Sequence, residues 1–153
     1  MTRLLAAGTV AALTIGAFFG TPRAQAAGTG QPAPGQRSVW DGAYTAQQDK
    51  RGNAVYAKAC ALCHGPTLNG GEAPPLAGPD FLAEWYGYSA AELFERIRST
   101  MPVTGPGSLS AQEYADVLAH ILSINKFPAG ETELEGSRER LKQIRIEAAK
   151  SRP

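Results

Sequence analysis

Two thiols and an imidazole lie within five consecutive residues, Cys60-Ala61-Leu62-Cys63-His64. Cysteines three apart on one helical turn point to the same side, so their sulfurs can bond two vinyl groups along one edge of a flat ring. The adjacent imidazole can then reach over the ring face toward a central metal. Together these groups form the attachment signature of a covalent c-type haem. The chain has only these two cysteines, which leaves none for a disulfide framework or a four-thiolate site. A CxxC pair alone also suits a thioredoxin-type dithiol or half of a zinc site. His64, the single CxxC and the lack of a βαβ pattern nearby favour the haem.

An iron held by His64 has a second face, and Met101 is the first candidate for it. Apart from Met1 it is the sole methionine, 37 residues beyond His64 and immediately before Pro102. A thioether is a soft, neutral donor that favours ferrous iron and raises the reduction potential. A methionine is otherwise core filler. His120 is the alternative ligand, but its position at the margin of a helix's apolar face suits a packed or half-exposed histidine better. With His64 and Met101 both bound, the iron has no open position, so the expected activity is electron transfer rather than catalysis. Displacement of Met101 would instead allow a ligand sensor or peroxidase, and a chain without haem would be a thiol–disulfide protein.

Three helices are expected to position these groups. Each begins with a hydroxyl residue followed three positions later by Gln or Glu: Thr45 and Gln48, Ser89 and Glu92, Ser110 and Glu113. The first runs from Thr45 toward Cys60. The second covers about 90–99, with Leu93, Phe94 and Ile97 on one stripe, and stops at Pro102. The third covers about 111–125, with Tyr114, Val117, Leu118, Ile121 and Leu122 on one face. Residues 65–88 are rich in Gly and Pro and read as one long loop. A loop of that length is unusual in a compact domain, and a large apolar cofactor would give it something to wrap. Leu141 and Ile144 predict a weakly docked fourth helix within 137–150.

The amino terminus reads as an export signal. Arg3 precedes an apolar run over 4–19, and Ala24-Gln25-Ala26 has the small–any–small pattern of a cleavage site, which places residues 1–26 in a signal peptide. The run is short for a membrane anchor and is closed by Pro22 and Arg23. Residues 27–37 are a Gly/Pro-rich linker, 38–128 the folded domain and 129–153 a basic tail. In an oxidising compartment two close cysteines are prone to oxidation, and thioether bonds would protect them. The whole chain carries 15 Lys/Arg against 14 Asp/Glu. Residues 38–135 carry six against twelve, and 136–153 six against two. An acidic body and a tail without interleaved aromatics exclude a nucleic-acid binder. No strong lysine ring surrounds the motif, so a strongly acidic partner is not implied.

These residues resemble a class I (mitochondrial-type) cytochrome c, and more closely the small bacterial cytochrome c domains found with periplasmic dehydrogenases. The resemblance covers about 38–128. It rests on Cys60-Ala-Leu-Cys63-His64-Gly65, on Ala73-Pro74-Pro75-Leu76-Ala77-Gly78 and on Ser99-Thr100-Met101-Pro102, with Val39-Trp40-Asp41-Gly42 and Phe81-Leu82-Ala83-Glu84-Trp85 in support. It implies an all-α cytochrome c fold, with three main helices and long loops around one covalent haem c, and a possible extra C-terminal helix. It implies that the Pro74 carbonyl accepts a hydrogen bond from His64, and that Trp85 lies near a haem propionate. It also implies that Gly52 and Tyr56 pack against the last helix, where His120 stands in place of the usual aromatic. The implied role is a periplasmic relay of single electrons between redox proteins, either a dehydrogenase or a terminal oxidase. No small-molecule substrate and at most transient membrane contact are expected. The chain would act as a monomer or as a dedicated subunit of a dehydrogenase.

Overall fold

In the computed structural model, α1 (Ala46–Ala59) and α5 (Ala111–Ile124) pack directly against each other, and α5 buries more core side chains than any other element. Residues 35–149 are described; the expected signal peptide and residues 27–34 of the linker lie outside the described residues. The chain order is β1 (Arg37–Ser38), a 3-10 turn (Val39–Asp41), α1, α2 (Ala61–His64), α3 (Pro79–Trp85), α4 (Ala90–Thr100), α5, α6 (Arg138–Leu141) and β2 (Ile144–Arg145). The two short strands pair in parallel, Arg37 opposite Ile144. The fold is helix-dominated, as expected.

The start signals act where the sequence places them. Glu92 accepts a hydrogen bond from Ser89 N at 2.7 Å, and Glu113 from Ser110 N at 2.8 Å. Those backbone donors hold both carboxyls below the usual glutamate range. The first box is only half formed. Thr45 Oγ1 accepts from Gln48 N at 3.1 Å, but the Gln48 side chain turns inward. It donates to Leu134 O and accepts from Leu134 N, both at 2.8 Å and both buried. A side-chain amide can satisfy a backbone N–H and C=O together, so Gln48 ties α1 to the C-terminal segment.

The α1/α5 crossing depends on one missing side chain. A Cβ on Gly52 would lie 1.8 Å from Asp116 O and 3.0 Å from His120 Cβ. Only glycine lets the two backbones approach this closely. One turn later the Tyr56 and His120 rings meet at 5.5 Å, tilted by 53°. The ring pairing of the resemblance is thus kept, with imidazole as one member. His120 is buried, not half-exposed, and its Nδ1 lies 2.8 Å from Asp49 Oδ1. Ser123 donates to the other Asp49 oxygen at 2.9 Å. Arg51 closes the far side with two bonds to Asp116, at 2.9 and 3.0 Å, and a bridge to Glu133 at 2.7 Å.

Two regions differ from expectation. The stretch 65–88 contains a seven-residue helix, α3, with Pro79 at its first turn. Proline suits that position because its missing N–H would be unpaired there anyway. The C-terminal segment is part of the core: Leu134, Leu141, Ile144 and Ile146 are all buried in the same cluster as α4 and α5. Leu141 and Ile144 fit helical spacing, but Ile144 in β2 and Ile146 just beyond it bury as alternate residues of extended chain. The helix therefore stops after one turn. The Trp40 indole donates to Glu147 O at 2.9 Å and Ile146 N to Tyr88 O at 2.9 Å, fastening this segment to the 3-10 turn and to the chain just before α4.

Candidate haem-attachment site

α1 ends at Ala59, and Cys60 leaves the helical region with φ −128° and ψ −36°. A new turn, α2, then begins: Cys63 N and His64 N both donate to Cys60 O, at 3.2 and 3.0 Å. Cys60, Cys63 and His64 therefore share one tight turn of their own, not the end of the first helix. Both cysteines are free and half-buried, and Leu62 between them is 93% exposed. Burial pushes the Cys60 thiol up to about 11. A redox dithiol needs its thiol pKa lowered, so this environment works against that chemistry. Among the described residues no cluster of three or more His, Cys, Asp or Glu side chains could hold a metal ion.

His64 is buried, and its Nδ1 lies 2.8 Å from Pro74 O. A carbonyl oxygen only accepts, so Nδ1 carries the hydrogen and Nε2 keeps its lone pair. A histidine prepared in this way is a metal donor whose orientation and basicity are set by the carbonyl behind it. The loop that brings Pro74 there makes its own backbone bonds: Gly70 N to His64 O at 3.0 Å, Ala73 N to Cys63 O at 3.0 Å and Leu76 N to Leu68 O at 2.7 Å. Gly65 turns the chain with φ +78°, where a Cβ would lie 2.6 Å from Gly70 O. Tyr56 OH donates to Gly65 O at 2.7 Å, which ties the helix crossing to the residue after His64.

Met101 caps the C-terminus of α4 and is half-buried. Its N–H donates to Ile97 O at 2.8 Å, and its carbonyl accepts from Tyr114 OH at 2.8 Å. Tyr114 is braced by an edge contact with Phe94 at 6.4 Å. The Met101–Pro102 peptide is cis. Trp85 ends α3, half-buried, with its ring 5.8 Å from Tyr88 and edge-on to it. Of the candidates, His64 and Pro74 are joined directly, whereas Met101 and Trp85 come from separate helices with separate anchors. Three features have no forerunner in the sequence reading: the Tyr56–Gly65 bond, the inward turn of Gln48 and the bonds of Asn125 to Leu76 and Gly78. Only a helix-ending Asn at 125 gave any signal of the last.

The donor set fits a covalent haem: two unpaired thiols and a buried imidazole with a free Nε2, all on one turn. Among the described residues no helix is long and apolar enough to cross a membrane. Residues 47–121 match the family described as cytochrome C oxidase, cbb3-type, subunit III. No curated protein matches the chain. Among solved structures, the sulfane dehydrogenase SoxCD from Paracoccus pantotrophus shares the fold over 70% of this chain, with a TM-score of 0.53 and 22% identity. The match spans 61% of that chain. On the family match, the helical fold and the attachment turn, residues 47–121 form a small class I-like c-type cytochrome domain whose cofactor is a covalent c-type haem.

Proposed function

We propose that this cytochrome is an exported, periplasmic carrier that relays single electrons between redox proteins and has no substrate of its own. The observation that carries this reading is the His64 Nδ1–Pro74 O bond, which leaves Nε2 free to bind iron. Cys60 and Cys63 would hold the ring and Met101 would supply the second axial donor. The bound haem supplies a one-electron ferric/ferrous couple. Pro74 orients the imidazole, and Tyr114 holds the Met101 backbone at the end of α4. Trp85 offers an indole N–H suited to a propionate. The apolar run and Ala24-Gln25-Ala26 support export with cleavage after residue 26. Redox-monitored visible and near-infrared spectroscopy of the mature protein tests this. A thioether-linked, low-spin, His/Met spectrum that ignores carbon monoxide is expected. A haem-free product or a high-spin, carbon monoxide-binding haem would refute it.

A second reading, a dedicated cytochrome subunit of a periplasmic dehydrogenase, is favoured by the docked C-terminal segment. It presents exposed Arg138 and Lys142 beside α4, at the Ser89 end of that helix and not the Met101 end. Deleting 136–153 would remove core residues Leu141, Ile144 and Ile146. Charge reversal of Arg138 and Lys142 is therefore the cleaner probe. Loss of dehydrogenase co-purification with an intact haem spectrum supports a subunit, and unchanged isolation as a lone protein supports the free carrier.

A further inference from the structure

The loop that carries Pro74 is gripped at its far end by one side chain from outside the attachment turn. Asn125 follows α5 directly. Its Nδ2 donates to Leu76 O at 2.9 Å and to Ile121 O at 2.8 Å, while its Oδ1 accepts from Gly78 N at 2.9 Å. A flipped amide would set Oδ1 against two carbonyls, so the network fixes its orientation. Ending the helix requires only the Ile121 bond. The other two leave the helix and hold the backbone on either side of Ala77. Leu76 N is meanwhile bonded to Leu68 O at 2.7 Å. The segment that starts at Pro74 is thus pinned, two residues on, between Leu68 and Asn125.

We propose that Asn125 is a positioning residue for His64: through Leu76 and Gly78 it sets the place of the Pro74 carbonyl, and so the strength of the bond that His64 Nδ1–H donates. The inference rests on His64 as the iron ligand. A strong bond at Nδ1 makes the imidazole a better donor, and a better donor favours ferric iron. Slackening the clamp therefore raises the reduction potential, although Asn125 need not touch the haem. Gln48 provides a contrast, since its two buried bonds hold α1 to Leu134 and not to this loop.

The test compares Asn125→Ala and Gln48→Ala as mature holoproteins, by midpoint potential and by amide exchange at Gly78. At the parent's midpoint, Asn125→Ala should raise the ferrous-to-ferric ratio by up to about tenfold, the low end of what losing an outer hydrogen-bond partner does to metal affinity or activity. Exchange at Gly78 should quicken. Gln48→Ala should lose stability and move neither. An Asn125→Ala protein that keeps the parent potential overturns the proposal, whatever its stability or its Gly78 exchange. If that variant fails to mature, the parent decides it: slow Gly78 exchange supports the clamp and free exchange overturns it. A parent holoprotein without a histidine-ligated spectrum would instead refute the ligand assignment.

Discussion

Gly52→Ala tests the helix crossing on which the site is built. The added Cβ would lie 1.8 Å from Asp116 O and 2.5 Å from Asp116 C. Real Cβ contacts essentially never fall below 3.0 Å, so α1 and α5 must part by at least 1.2 Å at a point where both partners are backbone. A gap of about 1 Å already forfeits up to half of a dispersion contact. Overpacking of this kind costs about 3 kcal/mol. The Asp49–His120 bond, now 2.8 Å, stretches with the crossing and adds about 1 kcal/mol. Alanine's better helix propensity returns about 1 kcal/mol. The net loss is about 3 kcal/mol, which lowers Tm by roughly 10–20 °C in a domain of this size. Thermal and denaturant unfolding of the holoprotein, followed by far-ultraviolet circular dichroism, measures it. Gly105→Ala is the control, because its Cβ would meet Ser108 no closer than 3.4 Å. If Gly52→Ala unfolds within about 0.5 kcal/mol of the parent, as neutral surface changes do, the close-approach argument is wrong.

Met101→Ala should lower the potential and admit carbon monoxide or imidazole to the iron; an unaltered potential and spectrum would exclude Met101 as a ligand. Gln48→Ala strands the buried N–H and C=O of Leu134 and should cost about 2–3 kcal/mol in denaturant unfolding, whereas Gln47→Ala, on the exposed face of α1, should cost almost nothing. Burial alone would raise the Asp116 pKa, but donors from Arg51, Gln112 and Gln48 hold it below the usual aspartate range. A carboxyl depressed on folding stabilises the native state above its ordinary pKa and loses that contribution as pH falls through its folded value. Asp116→Asn should therefore flatten the acid limb of stability below about pH 4, and an unchanged limb would show that the Arg51 pairing adds little.

Local signals in the sequence carry far because their physics is local. Ser89 and Ser110 start helices where they stand, since a cap needs only residues three positions apart. Three of the helices begin within a residue of expectation for that reason. Cys60, Cys63 and His64 identify the attachment turn because all of its chemistry falls within five residues. Thr45 and Gln48 fail as a full box for a non-local reason: Leu134, 86 residues away, offers the Gln48 amide both a donor and an acceptor in a buried setting. No spacing rule could have found that partner. Leu141 and Ile144 mislead in the same way, because a spacing of three is read as helix while Ile144 is buried in a strand beside β1.

The haem-attachment turn, the helical class and the positions of the main helices are all legible in the chain, because each depends on groups close together along it. Tertiary structure decided what surrounds that turn. It placed the Pro74 carbonyl behind His64, brought Asn125 onto the loop beyond, buried His120 against Tyr56 and Asp49, and folded the basic tail into the core. Each of these joins residues distant in sequence across a packed interface. Such contacts depend on which apolar faces meet and which polar groups burial leaves in need of a partner.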